Sequence, residues 1–360
     1  MTNLNLHRQP LNVRRLCRSL APAALAAGLM IFSGSPSRAD SVSDFYKGKT
    51  VTLLVSSAAG GGYDALARLI SRIMPKHIPG NPTVIVKNMP GAGGIVATNY
   101  GYRIAPKDGT TIIAPQNNVP FEPLYGTKEA KYDANKIQWI GSPAPETAVL
   151  TIWHTSPVNT IADTHKHQLR MGSSGENSTP SFYGKVFMET LGANMQIIVG
   201  YPGQNDALLA MERGEIDGYP SAFYNSLMAT RPTWIPEKKV KMLVQIGAEK
   251  EKAIDYVPFA RDLAKNDADR ELIDQAAAPL AVGRPYGLPP GVPADRVAAL
   301  RKAFMDTMHD PQFQEEQAKI KLGADNPKTG EEIQQIIAKS YQRSESVINR
   351  IKGMLGQKKK

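Results

Sequence analysis

Four glycine-rich segments, each between a predicted strand and a predicted helix, are the residues of this chain best suited to bind a ligand. They are residues 56–64, 88–94, 172–180 and 200–203. Glycine lets the backbone approach a ligand closely, and the unpaired N–H groups of a helix start favour an anion. None of the four contains Lys or Arg. We therefore expect neutral donors and helix ends to hold an anion such as a carboxylate, with plain strand-to-helix turns as the alternative.

The first two segments follow neighbouring predicted strands, so they are expected to lie side by side. Ser56-Ser57-Ala58-Ala59-Gly60-Gly61-Gly62-Tyr63-Asp64 comes first, and Asn88-Met89-Pro90-Gly91-Ala92-Gly93-Gly94 follows. Neither has the Lys-Ser/Thr of a phosphate loop or the spacing of a dinucleotide fingerprint. Asp64 is predicted to be the N-cap of its helix. Two such loops at the carboxyl ends of parallel strands indicate one edge of a ligand cleft.

The elements that position these segments are short apolar strands alternating with amphipathic helices. This alternation predicts an α/β protein with mainly parallel sheets. The predicted strands are residues 51–55, 83–86, 110–114, 137–140, 149–153, 169–171, 196–199 and 241–246. The predicted helices are residues 65–74, 95–104, 181–191, 205–213, 293–308 and 331–352.

The charge of the chain is partly that of a leader. The 360 residues carry a formal charge of +10, and residues 1–39 contain five Arg and no Asp, Glu or Lys. A basic stretch, a short apolar run and Ser37-Arg38-Ala39 predict a signal peptide cleaved before Asp40 and a periplasmic protein. The remaining basic excess is mild and forms no stripe, which argues against a nucleic-acid partner. Cys17, the only cysteine, lies in the leader.

Residues suited to catalysis do not form a convincing set. His165 and His167 could pair on a metal, but they lie in a polar turn without a carboxylate or a cysteine to complete a metal site. Glu176 lies near Ser173 and Ser174 without a nucleophile elbow. We therefore predict no enzyme activity, no cofactor, no metal and no catalytic residue, with a periplasmic hydrolase as the less favoured alternative.

At family level, the sequence resembles the extracytoplasmic solute receptors of tripartite tricarboxylate transporters, the Bug receptors. The resemblance covers nearly all of the chain after the leader, and Asn88-Met89-Pro90-Gly91-Ala92-Gly93-Gly94 is its most specific element. The other motifs that carry it are Gly60-Gly61-Gly62-Tyr63-Asp64 with Leu66-Ala67-Arg68, Ala105-Pro106-Lys107-Asp108-Gly109, Gly172-Ser173-Ser174-Gly175, Tyr201-Pro202-Gly203 and Gly214-Glu215-Ile216-Asp217.

This resemblance implies a two-lobed periplasmic-binding-protein (Venus flytrap) fold with two crossing strands. Residues 40–143 and 270–360 would form the first lobe, and residues 144–269 the second. The implied function is binding of a small carboxylate between the lobes and its delivery to the large and small integral membrane subunits of a transporter. A monomer is expected. The alternative partner is a membrane sensor kinase, which would make the protein a ligand-sensing receptor.

The resemblance also implies which residues bind the ligand. The glycine loops of the first lobe would hold one carboxylate, and the serine-rich and Tyr-Pro-Gly loops would select the rest of the ligand. Arg284 either faces the cleft and binds a second carboxylate, as its fork-shaped guanidinium suits, or lies in a surface salt bridge. The expected ligand-binding residues are Ala59, Gly60, Gly61, Tyr63, Asp64, Pro90, Gly91, Ala92, Gly93, Gly94, Asn117, Ser173, Ser174, Ser178, Thr179, Tyr201 and Arg284.

Overall fold

The computed structural model describes residues 38–176, 178–321 and 323–356. The helices are α1 (Arg38–Tyr46), α2 (Gly62–Ile73), α3 (Ile95–Arg103), α4 (Thr179–Leu191), α5 (Gln204–Glu212), α6 (Tyr224–Thr230), α7 (Asp267–Val282), α8 (Ala294–Met308), α9 (Pro311–Ile320), α10 (Gly330–Tyr341) and α11 (Glu345–Met354). The predicted signal peptide lies almost wholly outside the described residues. Within them, no helix combines the length and the apolar character that crossing a membrane requires.

The strands form two mixed sheets. They are β1 (Thr50–Val55), β2 (Thr83–Asn88), β3 (Thr111–Ala114), β4 (Gln138–Ser142), β5 (Ala148–Trp153), β6 (Leu169–Ser173), β7 (Met195–Val199), β8 (Gly218–Phe223), β9 (Val240–Ile246), β10 (Tyr286–Leu288) and β11 (Lys328–Thr329). The first sheet has the order β11-β4-β10-β3-β1-β2, and the second has the order β7-β6-β8-β5-β9. Each sheet with its helices forms one lobe of an α/β fold.

Each parallel pair of the named strands includes β1 or β6, both of which lead into a glycine-rich loop. β1 pairs in parallel with β2 and β3, and β6 pairs in parallel with β7 and β8. β10 runs antiparallel to β3 and β4, and β5 runs antiparallel to β8 and β9. The expectation of mainly parallel sheets is therefore wrong at these strands, which adjoin the passages of the chain between the lobes.

The chain passes between the sheets at residues 143–147, after β4, and again at residues 247–285, between β9 and β10. The second passage includes α7, which the sequence analysis did not predict. The lobe boundaries given above stay a prediction.

The C-terminal region folds as two helices rather than the single helix predicted over residues 331–352. α10 ends at Tyr341 and α11 begins at Glu345, with Ser344 as its N-cap. α10 packs on β4 and α7, whereas α11 packs on α7 and α4. The break therefore lets the chain turn from the first sheet toward a helix of the second lobe.

Buried apolar side chains fill the space between each sheet and its helices. β1 is buried on both faces, as its run of β-branched and leucine residues predicts. The apolar stripe of α2, formed by Leu66, Leu69, Ile70 and Ile73, packs into the same core. This packing fixes the strand ends from which the loops of the cleft emerge.

Candidate functional site

A cleft of about 610 Å³ is lined by loops from both sheets. This volume lies within the range of about 300–1,000 Å³ typical of small-molecule sites. One wall comes from loops of the first sheet and includes Gly60, Gly61 and Gly93. The other wall comes from the second sheet and includes Ser174 and Ser178.

Four helices begin at this cleft. Gly62 opens α2, Gly93 lies just before α3, Thr179 opens α4 and Gln204 opens α5. No cap residue of these four helices accepts a hydrogen bond from its helix through a side chain. Their first N–H groups and helix dipoles therefore make the cleft favourable for a negatively charged group.

Asp64 holds the first two glycine loops together. Its carboxylate is 3% exposed and accepts hydrogen bonds from Gly60 N, Arg68 Nε and Asn88 Nδ2, each at 2.9 Å. Asn88 Nδ2 also donates to Ser57 O at 3.0 Å. Burial raises the pKa of Asp64, but these hydrogen bonds and the Arg68 charge outweigh it and hold the pKa below its usual value.

The prediction that Asp64 is an N-cap is wrong, because Gly61 is the N-cap of α2 and Asp64 is the third helical residue. Its partner Asn88 ends β2, so the carboxylate joins two loops that are distant in sequence. Asp64 does not line the cleft, and its contacts indicate a role in placing the loops.

The second loop has an unusual backbone. Gly91, Ala92, Gly93 and Gly94 all have positive φ, at 139°, 45°, 62° and 99°. A side chain at Gly93 would meet no atom within 4 Å, whereas one at Gly94 would lie 3.0 Å from Ser56 Oγ and from Val119 Cγ2. Gly93 is thus needed for its conformation, and Gly94 for its conformation and close packing.

Tyr63 and Arg284 lie together on the cleft lining. The Arg284 guanidinium carbon is 5.4 Å from the centre of the Tyr63 ring. The Tyr63 hydroxyl accepts a hydrogen bond from Asn117 N at 3.1 Å. Burial raises the pKa of Tyr63 to about 12, with the Arg284 charge acting in the opposite direction. At neutral pH the hydroxyl is therefore protonated and able to donate to a ligand.

Arg284 is in a salt bridge, but a buried one rather than the surface pair considered from the sequence. Its Nε lies 2.7 Å from Glu146 Oε1, and Arg284 and Glu146 are 4% and 5% exposed, respectively. Burial raises the pKa of Glu146, and the Arg284 charge offsets only part of this effect. Among the described residues, Arg284 Nε, Arg284 Nη1 and Glu146 Oε2 have no hydrogen-bond partner, so the contact of Nε with Oε1 is an ion pair without hydrogen-bond geometry.

Ser173 and Ser174, neighbours in the serine-rich loop, have different surroundings. Ser173 is buried, and its Oγ lies 2.8 Å from Ser178 Oγ and 2.6 Å from Ser181 Oγ. Ser174 is exposed on the cleft wall. Ser173 therefore supports the loop, while Ser174 is available to a ligand.

The structure brings about half of the predicted ligand-binding residues to the cleft lining. Those on the lining are Gly60, Gly61, Tyr63, Gly93, Ser174, Ser178, Thr179 and Arg284. Those off the lining are Ala59, Asp64, Pro90, Gly91, Ala92, Gly94, Asn117, Ser173 and Tyr201. Asn117 borders a smaller neighbouring cavity, and Tyr201 packs against the core of the second lobe.

Sequence reasoning missed a further set of lining residues, several of them on and after β8. Pro220 lies within β8. Because a proline inside an apolar run argues against a strand, the sequence of this segment did not predict one. The Tyr-Pro-Gly loop was found, but its lining residue is Gly203 rather than Tyr201. The missed residues are Gly62, Gln116, Asn118, Pro180, Gly203, Gln204, Asn205, Asp206, Tyr219, Ser221, Phe223, Ser226 and Thr230.

Across residues 38–176, 178–321 and 323–356, no group of three or more His, Cys, Asp or Glu side chains is arranged to hold a metal ion.

This chain is similar in sequence or in fold to several known proteins. A curated protein of Cupriavidus necator, "UPF0065 protein in gbd 5'region", is 25% identical over 84% of this chain and 88% of its own length. A solved TctC solute-binding protein from Polaromonas has a TM-score of 0.64 at 19% identity, over 87% of this chain and 99% of that one. MatC from Rhodopseudomonas palustris, solved with bound malate, has a TM-score of 0.61 at 20% identity, over 85% and 99%.

These solved structures show that the chain has the two-lobed fold of periplasmic solute-binding proteins. The sequence pattern of the tripartite tricarboxylate transporter family receptors, TctC, matches residues 66–353. Members of this family are receptors rather than enzymes, which confirms the prediction that the protein is not an enzyme. The chain belongs to the tripartite tricarboxylate transporter family of receptors.

Proposed function

We propose that this protein is an extracytoplasmic receptor that binds a small organic acid as its anion and delivers it to a tripartite membrane transporter. The observation that carries the proposal is the convergence of the N-termini of α2, α3, α4 and α5 on one cleft. Helix N-termini bind carboxylates through unpaired N–H groups and the helix dipole. The malate bound to MatC is consistent with this ligand class.

In this proposal, one carboxylate lies against the loops that hold Gly60 to Gly62 and Gly93. Asp64 keeps these loops in register, and Tyr63 donates its hydroxyl hydrogen. Ser174, Ser178 and Thr179 contact the remainder of the ligand from the second lobe. Closing the lobes over the acid presents one defined shape to the large and small membrane subunits. The receptor acts in the periplasm as a monomer after removal of its signal peptide.

The test is a panel of organic acids, each paired with its neutral amide, measured by thermal shift and calorimetry. The proposal predicts that at least one acid stabilises the protein while its amide does not. Ligand should also reduce the radius of gyration in solution scattering, because the two lobes close over it. Stabilisation by a neutral sugar or a metal ion, with no response to any acid, would remove the proposal.

A further inference from the structure

A second cavity lies between α7 and α10, outside the cleft described above. Its volume is about 280 Å³, and none of its lining residues also lines the cleft. One face of α7, one face of α10 and the residues that follow β9 form most of its wall. This volume is close to the lower end of the range of about 300–1,000 Å³ for small-molecule sites. The cavity is therefore large enough for a small ligand of its own.

The lining of this cavity carries more positive than negative charge. Arg261, Lys339 and Arg343 line it, and Asp274 is the one carboxylate among its described lining residues. Arg261 Nε donates to Asp274 Oδ1 at 2.8 Å. The side chains of Lys339 and Arg343 form no ion pair or hydrogen bond with another residue in the described part of the chain. Three positive charges against one negative charge leave a net charge of +2.

The two arginines approach the cavity from the same end. Ser344 Oγ donates to Glu271 Oε1 at 3.2 Å, which brings the preceding residue, Arg343, to the first half of α7. Asp274 follows Glu271 by about one helical turn and holds Arg261. Both guanidinium groups therefore lie near the beginning of α7.

Small and apolar side chains line the opposite end. Ala281 follows Asp274 on α7 by about two helical turns. Because the end of α10 adjoins the first half of α7, the two helices run in opposite directions along the cavity. Ile336, about two helical turns before Arg343, therefore lies near Ala281. The cavity thus has a cationic end and an apolar end.

This arrangement matches an anion that has two charges and a short apolar group. A phosphate monoester carries a charge of about −1.5 to −2 at neutral pH, close to the opposite of the cavity charge. A guanidinium can bind two phosphate oxygens at once. Lys339, in the last turn of α10, also interacts favourably with the helix dipole, but that role gives no reason for Arg261 to line the same cavity.

We infer that this cavity binds a free phosphate monoester with a short apolar group. The phosphate lies between Arg261 and Arg343, with Lys339 beside them, and the apolar group packs against Ala281 and Ile336. The site is separate from the cleft and adds a second ligand to the organic acid proposed above.

The experiment compares n-butyl phosphate with inorganic phosphate and with 1-butanol by calorimetry. At about pH 8 both phosphates are mostly dianions. Each buried CH₂ group strengthens binding by about four-fold, so n-butyl phosphate should bind about 10-fold or more tightly than inorganic phosphate. 1-Butanol, which has no charge, should show no binding over the same concentrations.

Variants at each end of the cavity test the two halves of the site. Arg343→Gln should weaken binding of n-butyl phosphate by about 10-fold, because hydrogen bonds to the phosphate are lost. Arg103→Gln, which removes an arginine at the end of another helix, α3, is the matched control and should bind as the wild type does. Ala281→Leu should fill the apolar end, so that n-butyl phosphate loses its advantage while inorganic phosphate binds as before.

Equal affinity of the wild type for the two phosphates, or equal losses in Arg343→Gln and Arg103→Gln, would overturn the inference. Binding that is lost in Gly93→Val and kept in Arg343→Gln would overturn it too, because the ester would then lie in the cleft. Binding to vesicles that contain phosphatidic acid, without binding of n-butyl phosphate, would show that the head group is recognised only in a bilayer and would also overturn it. Each of these results leaves acid binding in the cleft standing.

Discussion

Replacing Asp64 by asparagine should separate the role of its charge from that of its shape. The carboxylate accepts three hydrogen bonds, from Gly60 N, Arg68 Nε and Asn88 Nδ2. Asparagine keeps one acceptor oxygen and turns an NH₂ group toward a donor. Each hydrogen bond to a charged group is worth about 1.5–3 kcal/mol, and the exposed Arg68 contributes little. We expect Asp64→Asn to lower the free energy of unfolding by about 2–4 kcal/mol.

The matched control is Asp206→Asn. Asp206 is also the third residue of its helix, α5, but no hydrogen bond or ion pair of its carboxylate is found among the described residues. Both changes remove the same interaction with a helix dipole, so their difference reports the loop contacts. Urea unfolding should show Asp206→Asn within about 0.5 kcal/mol of the wild type. Equal losses in the two variants would refute the role given to Asp64.

The pH dependence of the same pair is a second readout. The folded pKa of Asp64 lies below the ordinary value of 3.8, so the unfolded chain takes up the proton first as pH falls. The stabilisation by Asp64 is therefore complete above that value and is lost as pH falls through the folded pKa. The wild type and Asp64→Asn should converge in stability at acidic pH and differ most near neutrality.

Three further predictions follow from particular side chains. Gly93→Val should remove acid binding in calorimetry and lower the free energy of unfolding by about 1–2 kcal/mol. Gly48→Val, at another open glycine with positive φ, should have a similar stability cost and bind the acid normally. Equal losses of binding in the two variants would count against a role of the Gly93 loop in binding. Ser174→Ala should weaken binding of the acid by about 0.5–3 kcal/mol and leave the melting temperature unchanged. Ser173→Ala should lower the melting temperature, because Ser173 Oγ contacts Ser178 and Ser181. The reverse pattern would contradict the roles given to these serines. Arg350→Met should lower the unfolding free energy by about 1–2 kcal/mol, since Arg350 joins α11 to Glu189 and Asp269; no change in urea unfolding would show that these contacts add nothing.

Much of the first wall of the cleft could be predicted because its signals are local. β1 and α2 have the apolar patterns of a buried strand and an amphipathic helix, and the glycines lie between them. β2 and α3 flank the second glycine-rich loop in the same way, although only Val84 of β2 is buried. The role of Asp64 could not be predicted, because its partner Asn88 lies 24 residues away and the contact exists only in the fold.

The sequence also did not predict α7, the break between α10 and α11, or the Glu146–Arg284 pair, and each has a physical reason. Residues 267–282 form α7 although the segment begins with many charges and carries Pro279 inside the helix. The break between α10 and α11 depends on capping by Ser344 and on packing against different partners, which helix periodicity does not record. The Glu146–Arg284 pair joins the two passages between the lobes, so neither residue indicated the other in the sequence.

Native mass spectrometry of the purified receptor can show whether a small organic acid is bound at the glycine loops. We expect the wild type to carry an added mass that matches a small organic acid and Gly93→Val not to carry it. An added mass that belongs to a neutral sugar or a metal ion would contradict the account. An acid retained equally by both proteins would contradict it as well, because the glycine loop would then play no part in binding.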